Sequence, residues 1–319
     1  MHEFELIKNY FSKLSPNNKS SLGLNDDVFF DKSKGIVISI DTYVEGIHFL
    51  NFDKPELVIK KILRSSISDL ICKGVKPKYY FISGSGNKKT FSKLNLRKIS
   101  QSLKKEQKKF GIFLSGGDTV FSNKLSFTIT SLGFSNKIVF RNKAKLNDDI
   151  YVTGYLGDSY TGLKILKKEI ITGKNQMKYF QDKYYCPKLY INLPKKLLNF
   201  ANTSIDLSDG LFSDLDKLIN KQKLSYKLYL DKIPISNNLK KILIEKKMKK
   251  INFVSKGDDY QILFTASRSK SRIISKTFKS LGVKISKIGK ICSHRKKSLI
   301  FDEKGKKIAP NDKGYQHSF

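Results

Sequence analysis

Residues 54–74 read KPELVIKKILRSSISDLICKG. Leu57, Val58, Ile62, Leu63, Ile67, Leu70 and Ile71 recur at helical spacing, and Pro55 stands in the first turn, where its missing N–H is no loss. Gly74 ends that helix and Pro77 keeps it ended. Outward in both directions, period-two segments alternate with helical ones. Strands are predicted at Gly35 to Ile40, Tyr79 to Ser83, Ile112 to Ser115, Leu125 to Phe134, Ile150 to Thr153, Tyr226 to Leu230, Tyr260 to Ala266 and Val283 to Ile291. Further helices are predicted at Leu94 to Lys108, Leu163 to Lys168, Lys188 to Phe200, Leu211 to Asn220, Leu239 to Lys247 and Ser271 to Leu281. This alternation is what helices covering sheets produce, so the fold class is α/β. A chain of 319 residues exceeds what one core ordinarily serves. The polar stretch Arg141 to Asp149 divides two halves of similar make-up, which predicts domains at 1–140 and 141–319.

With 39% hydrophobic and 12% aromatic residues the chain is able to bury a core, which excludes a disordered tail. No stretch approaches the roughly eighteen uninterrupted apolar residues of a bilayer-spanning helix, and Lys interrupts nearly every candidate segment, so no such helix is expected. The opening MHEFELIKNYF places acids where a secretion signal has a basic head, and Cys72, Cys186 and Cys292 are too few and too scattered for a disulfide framework. Both features fit a cytoplasmic protein. Lys+Arg 62 against Asp+Glu 28 gives a net charge of +34, a field that attracts phosphorylated ligands or nucleic acid. The runs KKEQKK, EKKMKK and HRKK lack interleaved aromatics, so solvated helix faces and loops explain them more simply than a nucleic-acid groove.

The scarce acids fall in a pattern. Asp26 and Asp27 follow Gly23; Asp41 ends the Gly35 to Ile40 strand; Asp69 follows Ser68; Asp118 follows Gly116 and Gly117; Asp206 and Asp209 flank Ser208; Asp258 and Asp259 follow Gly257. Carboxylates gathered together repel one another, and a divalent cation removes the conflict. Oxygen ligands with no Cys and little His suit Mg²⁺, which bridges protein carboxylates to substrate phosphates. Taken singly, each Asp is more simply a helix cap or a turn former. Caps do not require acids to follow apolar strands in both halves of a Lys-rich chain, so the set favours Mg²⁺ with a nucleotide. The G-x-x-x-x-G-K-[ST] phosphate loop is absent, as are the protein-kinase H-R-D and D-F-G signatures and H-E-x-x-H, so any phosphoryl chemistry runs on another scaffold.

Taken in order, NDDVFF from Asn25, DTYVEGIHF from Asp41, SDLICKGVKP from Ser68, SGGDT from Ser115, IDLSDGLFSDL from Ile205 and GDDYQILFT from Gly257 resemble the thiamine-monophosphate kinase family. EFELI from Glu3, YVTGYLGDSYTGL from Tyr151 and the closing KGYQHSF extend the resemblance nearly end to end. It implies the two-domain fold of aminoimidazole ribonucleotide synthetase, with an N-terminal ATP-binding α/β domain, a C-terminal α/β domain and a homodimer formed through the N-terminal sheets. It also implies transfer of the ATP γ-phosphoryl group to thiamine monophosphate.

By that resemblance Asp27, Asp41, Asp69, Asp118 and Asp206 hold Mg²⁺ ions bridging the two phosphate groups, Ser39 adds an oxygen, and Asp209 holds a further metal. Gly117, Asp118, Arg141 and Ser208 match ATP contacts, and His48 and Asp258 match substrate contacts. Read without the family, Arg141 also fits a surface arginine, and a lone His such as His48 is more often a surface or packing residue than a ligand. The chain departs from the family pattern at Asn25 and Lys256, where Gly is usual, at Ile40, where Thr is usual, and at Asp258 and Gln261, where Glu is common. Asp312 stands where an aromatic is usual. The competing readings are another ATP-using synthetase of the same fold and, from a different class, a basic nucleic-acid-binding protein.

Overall fold

The computed structural model describes residues 3–294 and 297–317. Met1, His2, Arg295 and Lys296 of the HRKK run, and Ser318 and Phe319 of the closing KGYQHSF, lie outside the described residues. Five strands, β1 (Phe29–Asp31), β2 (Ile36–Val44), β3 (Pro77–Gly86), β4 (Phe113–Phe121) and β5 (Ser126–Phe134), form one sheet in the order β1-β2-β5-β3-β4. Neighbours are antiparallel except β3 and β4, which run parallel because the helix Lys93–Phe110 carries the chain back between them. A second sheet holds β6 (Asp149–Thr153), β7 (Thr203–Asp206), β8 (Leu224–Tyr229), β9 (Ile262–Ala266), β10 (Ile285–Ser293), β11 (Leu299–Phe301) and β12 (Lys307–Ile308), in the order β12-β11-β8-β10-β6-β9-β7.

The helix Pro55–Cys72 lies between the two halves. It packs on β2, β3 and β5 on one side and meets β7 and the helix Lys174–Tyr185 on the other. A helix wedged this way is buried nearly all round. Val58, Ile59, Ile62, Leu63 and Ile67 are fully buried, each contributing about 1.5–3 kcal/mol. Polar residues on the same helix are buried as well and find partners. Arg64 forks onto Glu106 (Nε to Oε2 2.7 Å, Nη2 to Oε1 3.0 Å) and donates from Nη1 to the Pro187 carbonyl, while Ser66 meets Ser131 at 2.8 Å.

Two strands run further than their sequence signal. β2 continues through Asp41 to Val44 because its ladder with β5 is unbroken, Asp41 facing Ile129. β4 continues through Gly116 and Gly117 to Phe121, with Asp118 opposite Ser83. Asp41 and Asp118 therefore sit inside strands and not in loops beyond them. The expected helix at 188–200 is only the turn Pro194–Leu197, and the helix Lys174–Tyr185 takes its place.

The outward face of the first sheet is apolar. Ile40, Phe81, Phe113 and Phe134 are all exposed, and β4 is exposed along its whole length.

Candidate active site

The central helix, β2 and β7 deliver one carboxylate each. Asp69 comes from the helix, Asp41 from β2 and Asp206 from the last position of β7. Burial pushes Asp41 up to about 6, with repulsion from Asp27 and Asp209 adding to it against the Tyr43 hydroxyl that donates at 3.1 Å. Burial likewise carries Asp206 to about 8, with Asp27, Asp214 and Asp41 pushing the same way and a Ser68 hydrogen bond opposing them. Asp69 is raised well above the carboxylate range by burial and then by Asp41, Asp206 and Asp27, although Ser39 donates to its Oδ2. The Oδ2 atom of Asp206 is buried without a hydrogen-bond partner.

The neighbouring flank has the opposite character. Lys73, fully buried at the end of the central helix, lies 2.7 Å from Asp26 Oδ1 and 2.7 Å from Asp27 Oδ2, and donates to the Ser204 carbonyl at 2.9 Å. Arg141 pairs with both oxygens of Asp27, and its backbone N–H donates to Asp26 Oδ2 at 2.9 Å. Burial alone would raise Asp27, but Arg141 and Lys73 hold it well below the usual carboxylate range. The Nη1 atom of Arg141 is buried with no partner. Asn25 adopts φ −131°, so Asn here meets no left-handed requirement, and its amide pairs with Asn220.

The loop after β7 is fixed by backbone contact. A Cβ on Gly257 would stand 1.9 Å from the Ser208 carbonyl oxygen, and one on Gly210 would stand 2.0 Å from that of Ser255. The Asp258 N–H donates to the Ser208 carbonyl at 2.8 Å, which ties two of the expected ligand contacts together. Asp209 pairs with Lys217, and Asp214 accepts from the N–H groups of Asp209 and Gly210 at 3.0 Å each. On the first half, the Val44 N–H donates to Nδ1 of His48, leaving the proton of the neutral ring on Nε2. Burial lowers the His48 pKa, as does His317, whose ring lies 5.6 Å away. That contact brings the C-terminal segment, anchored by the Tyr315 N–H on the Asp209 carbonyl, across to the first half.

The structure thus gathers Asp27, Asp41, Asp69, Asp206 and Ser39, with Arg141 alongside, and places Ser208, Asp209, Asp258 and His48 around them. It does not bring Asp118 to this group within one chain. Asp118 lies three strand spacings from β2, roughly 14 Å, and its Oδ1 accepts the Thr119 N–H. Gly117 has a packing reason of its own, since a Cβ there would stand 1.9 Å from the Ile82 carbonyl oxygen.

A divalent cation suits this donor set: Asp206 buried, Asp41 and Asp69 half-buried, none of the three in an ion pair among the described residues, with a hydroxyl beside them and an orphaned oxygen on Asp206. Among the described residues, no three His, Cys, Asp or Glu side chains stand close enough as placed to bind one ion.

The N-terminal domain of AIR synthase related proteins matches residues 25–135. A thiamine-monophosphate kinase of Buchnera aphidicola is 35% identical over 99% of this chain and 98% of its own, and one of Haemophilus influenzae is 33% identical over 91% and 89%. The chain belongs to the thiamine-monophosphate kinase family. The solved structure of AaThiL complexed with AMPPCP and TMP is 26% identical, with a TM-score of 0.85, and covers 99% of this chain and 97% of that one. A HypE-HypF complex, at 17% identity and a TM-score of 0.75, shares the fold. The architecture is therefore the AIR synthase-like α/β fold of the family.

Sequence reasoning missed Lys73, Asp214 and Lys217. Lys73 precedes Gly74 at a helix end, where a lysine usually serves the helix dipole in solvent, and nothing local signals its burial. Asp214 was legible as an acid in the first turn of a helix.

Proposed function

We propose that the protein is an ATP- and Mg²⁺-dependent kinase that transfers the γ-phosphoryl group of ATP to thiamine monophosphate, giving thiamine diphosphate and ADP. The observation that carries this reading is the convergence of Asp41, Asp69 and Asp206 from both halves, none of them in an ion pair among the described residues. An oxygen of the acceptor phosphate attacks the γ-phosphorus in line as the bond to the β-phosphate oxygen breaks, and ADP leaves. An ionised phosphate needs no general base, so positioning and charge neutralisation do the work. When bound, Mg²⁺ neutralises the phosphate oxygens. Asp27, Asp41, Asp69 and Asp206, with Ser39, are the residues to hold it, and Asp209 a further ion. Arg141, with Nη1 free, and Ser208 face the nucleotide. His48 and Asp258 face the acceptor.

The domains divide at 1–140 and 141–319. A second copy covers the apolar outer face of the first sheet, and Gly117 and Asp118 act at the nucleotide in that assembly, on the exposed strand β4. No helix among the described residues is long and apolar enough to cross a membrane, and the reading places the protein in the cytoplasm. Incubating purified protein with ATP, Mg²⁺ and thiamine monophosphate and resolving the products by chromatography tests the assignment. Thiamine diphosphate and ADP in equal amounts, both abolished by a chelator, are expected. ATP binding with no thiamine diphosphate formed would point instead to another synthetase chemistry on this fold.

A further inference from the structure

The acceptor end of the site holds a cation to which the proposed function gives no part. Lys61 lies in the second turn of the central helix and its side chain is 1% exposed, whereas its partner Asp258 is 27% exposed. The pair is buried at one end and open at the other. The Lys61 ammonium lies 2.8 Å from Oδ1 of Asp258 and 4.0 Å from the centre of the Tyr184 ring, which takes up part of the charge. The Tyr260 hydroxyl donates to the same Oδ1 at 3.2 Å. An ion pair and a hydroxyl donor converge on one oxygen, and Oδ2 is the acceptor that remains.

The backbone beneath is equally determined. Asp258 has φ +70°, a left-handed conformation that few non-glycine residues adopt, held by its N–H bond to Ser208. Burial lowers the Lys61 pKa and Asp258 opposes this, so the lysine is costly to keep charged in any arrangement lacking the carboxylate. Eight residues further along the same helix stands Asp69, roughly 12 Å away along the axis. One rigid element therefore fixes the spacing between the end that meets phosphate and the end that holds Asp258.

We propose that Lys61 is a positioning residue for the acceptor: by fixing Oδ1 of Asp258 it turns Oδ2 to accept the exocyclic amine of an aminopyrimidine, and so sets the preference for an amine over a carbonyl at that ring position. This rests on the functional reading above, in which Asp258 faces thiamine monophosphate.

The test is steady-state kinetics of the full-length protein and its K61M, K61R, D258N and K61M/D258N variants. The acceptors are thiamine monophosphate and oxythiamine monophosphate, whose ring carries oxygen in place of the amine. For K61M the KM for thiamine monophosphate rises about tenfold, the KM for ATP stays within about twofold, and the amine-over-carbonyl ratio in kcat/KM falls about tenfold. K61R restores part of both losses, and K61M/D258N is no worse than either single variant, because the two residues act as one unit. A lysine needed only for folding would lower the unfolding midpoint without moving that ratio. An unchanged ratio in K61M, equal rises in both KM values, or additive losses in the double variant would each overturn the proposal. Should K61M fail to fold, K61R and the charge-balanced double variant read the same ratio. An unaltered protein that makes no thiamine diphosphate would sink the functional reading and this inference with it; an active one whose K61M variant keeps the ratio sinks this inference alone.

Discussion

The two flanks of the acidic cluster are built from the same residue type at similar depth, yet they are opposites. On one, Asp26 and Asp27 are closed off by Lys73 and Arg141, and Asp27 is held ionised. On the other, Asp41, Asp69 and Asp206 face one another, the neighbouring carboxylates of Asp27, Asp209 and Asp214, and hydroxyls, and their protons are held more tightly. The first flank satisfies itself with lysine and arginine from the chain. The second is left for a charge from outside, and in a protein with 62 Lys and Arg residues that omission is informative.

The sharpest way to break the comparison is to remove the internal cation. Lys73→Met leaves two buried carboxylates short of a partner and is expected to cost about 3–5 kcal/mol of stability in urea unfolding; a loss below about 1 kcal/mol would mean that Arg141 alone suffices. On the open flank, Asp69→Asn is expected to lower kcat by about 10²–10³-fold. It should leave the metal-free unfolding midpoint unchanged or higher, because the cost of keeping a proton on a carboxyl with a raised pKa is gone. Activity close to that of the parent would remove Asp69 from the site.

Proton linkage sharpens the contrast further. Asp41 at about 6 and Asp206 at about 8 both lie above the unfolded value of 3.8, so the folded state keeps protons that the unfolded state has released. Metal-free stability should therefore fall as pH rises from about 4 to 8. Added Mg²⁺ should raise the thermal midpoint more at pH 8 than at pH 6. An equal rise at both values would separate ion binding from these carboxylates. The smallest effect belongs to a solvent-facing pair: Glu169→Gln, which frees Lys164 at the surface, should change stability by less than about 1 kcal/mol.

Much of the frame was legible beforehand because it depends on periodicity. The central helix was expected with Pro55 in its first turn and Gly74 ending it, and it spans Pro55–Cys72. β1, β7, β11 and β12 have two to four residues each, too few to display a period of two. The helix Lys174–Tyr185 carries KNQMKYFQDKYY, whose buried face is made of Phe180, Tyr184 and Tyr185 and not of aliphatic residues, and no helix is predicted there from the sequence. In the site, Asp41 was visible through its place at the end of an apolar strand, and Asp206 through its place with Asp209 around Ser208. The pairing of Lys73 with Asp26 and Asp27, and of Lys61 with Asp258, was not, because those partners lie far apart in the chain and only tertiary packing decides which lysines lose their water.

The glycines at 210 and 257 let two loops touch main chain to main chain with no room for a methyl group between them. Meshed without slack, the loop bearing Ser208 and the loop bearing Asp258 move as one part. Whatever shifts the grip on one reactant is thereby transmitted to the grip on the other.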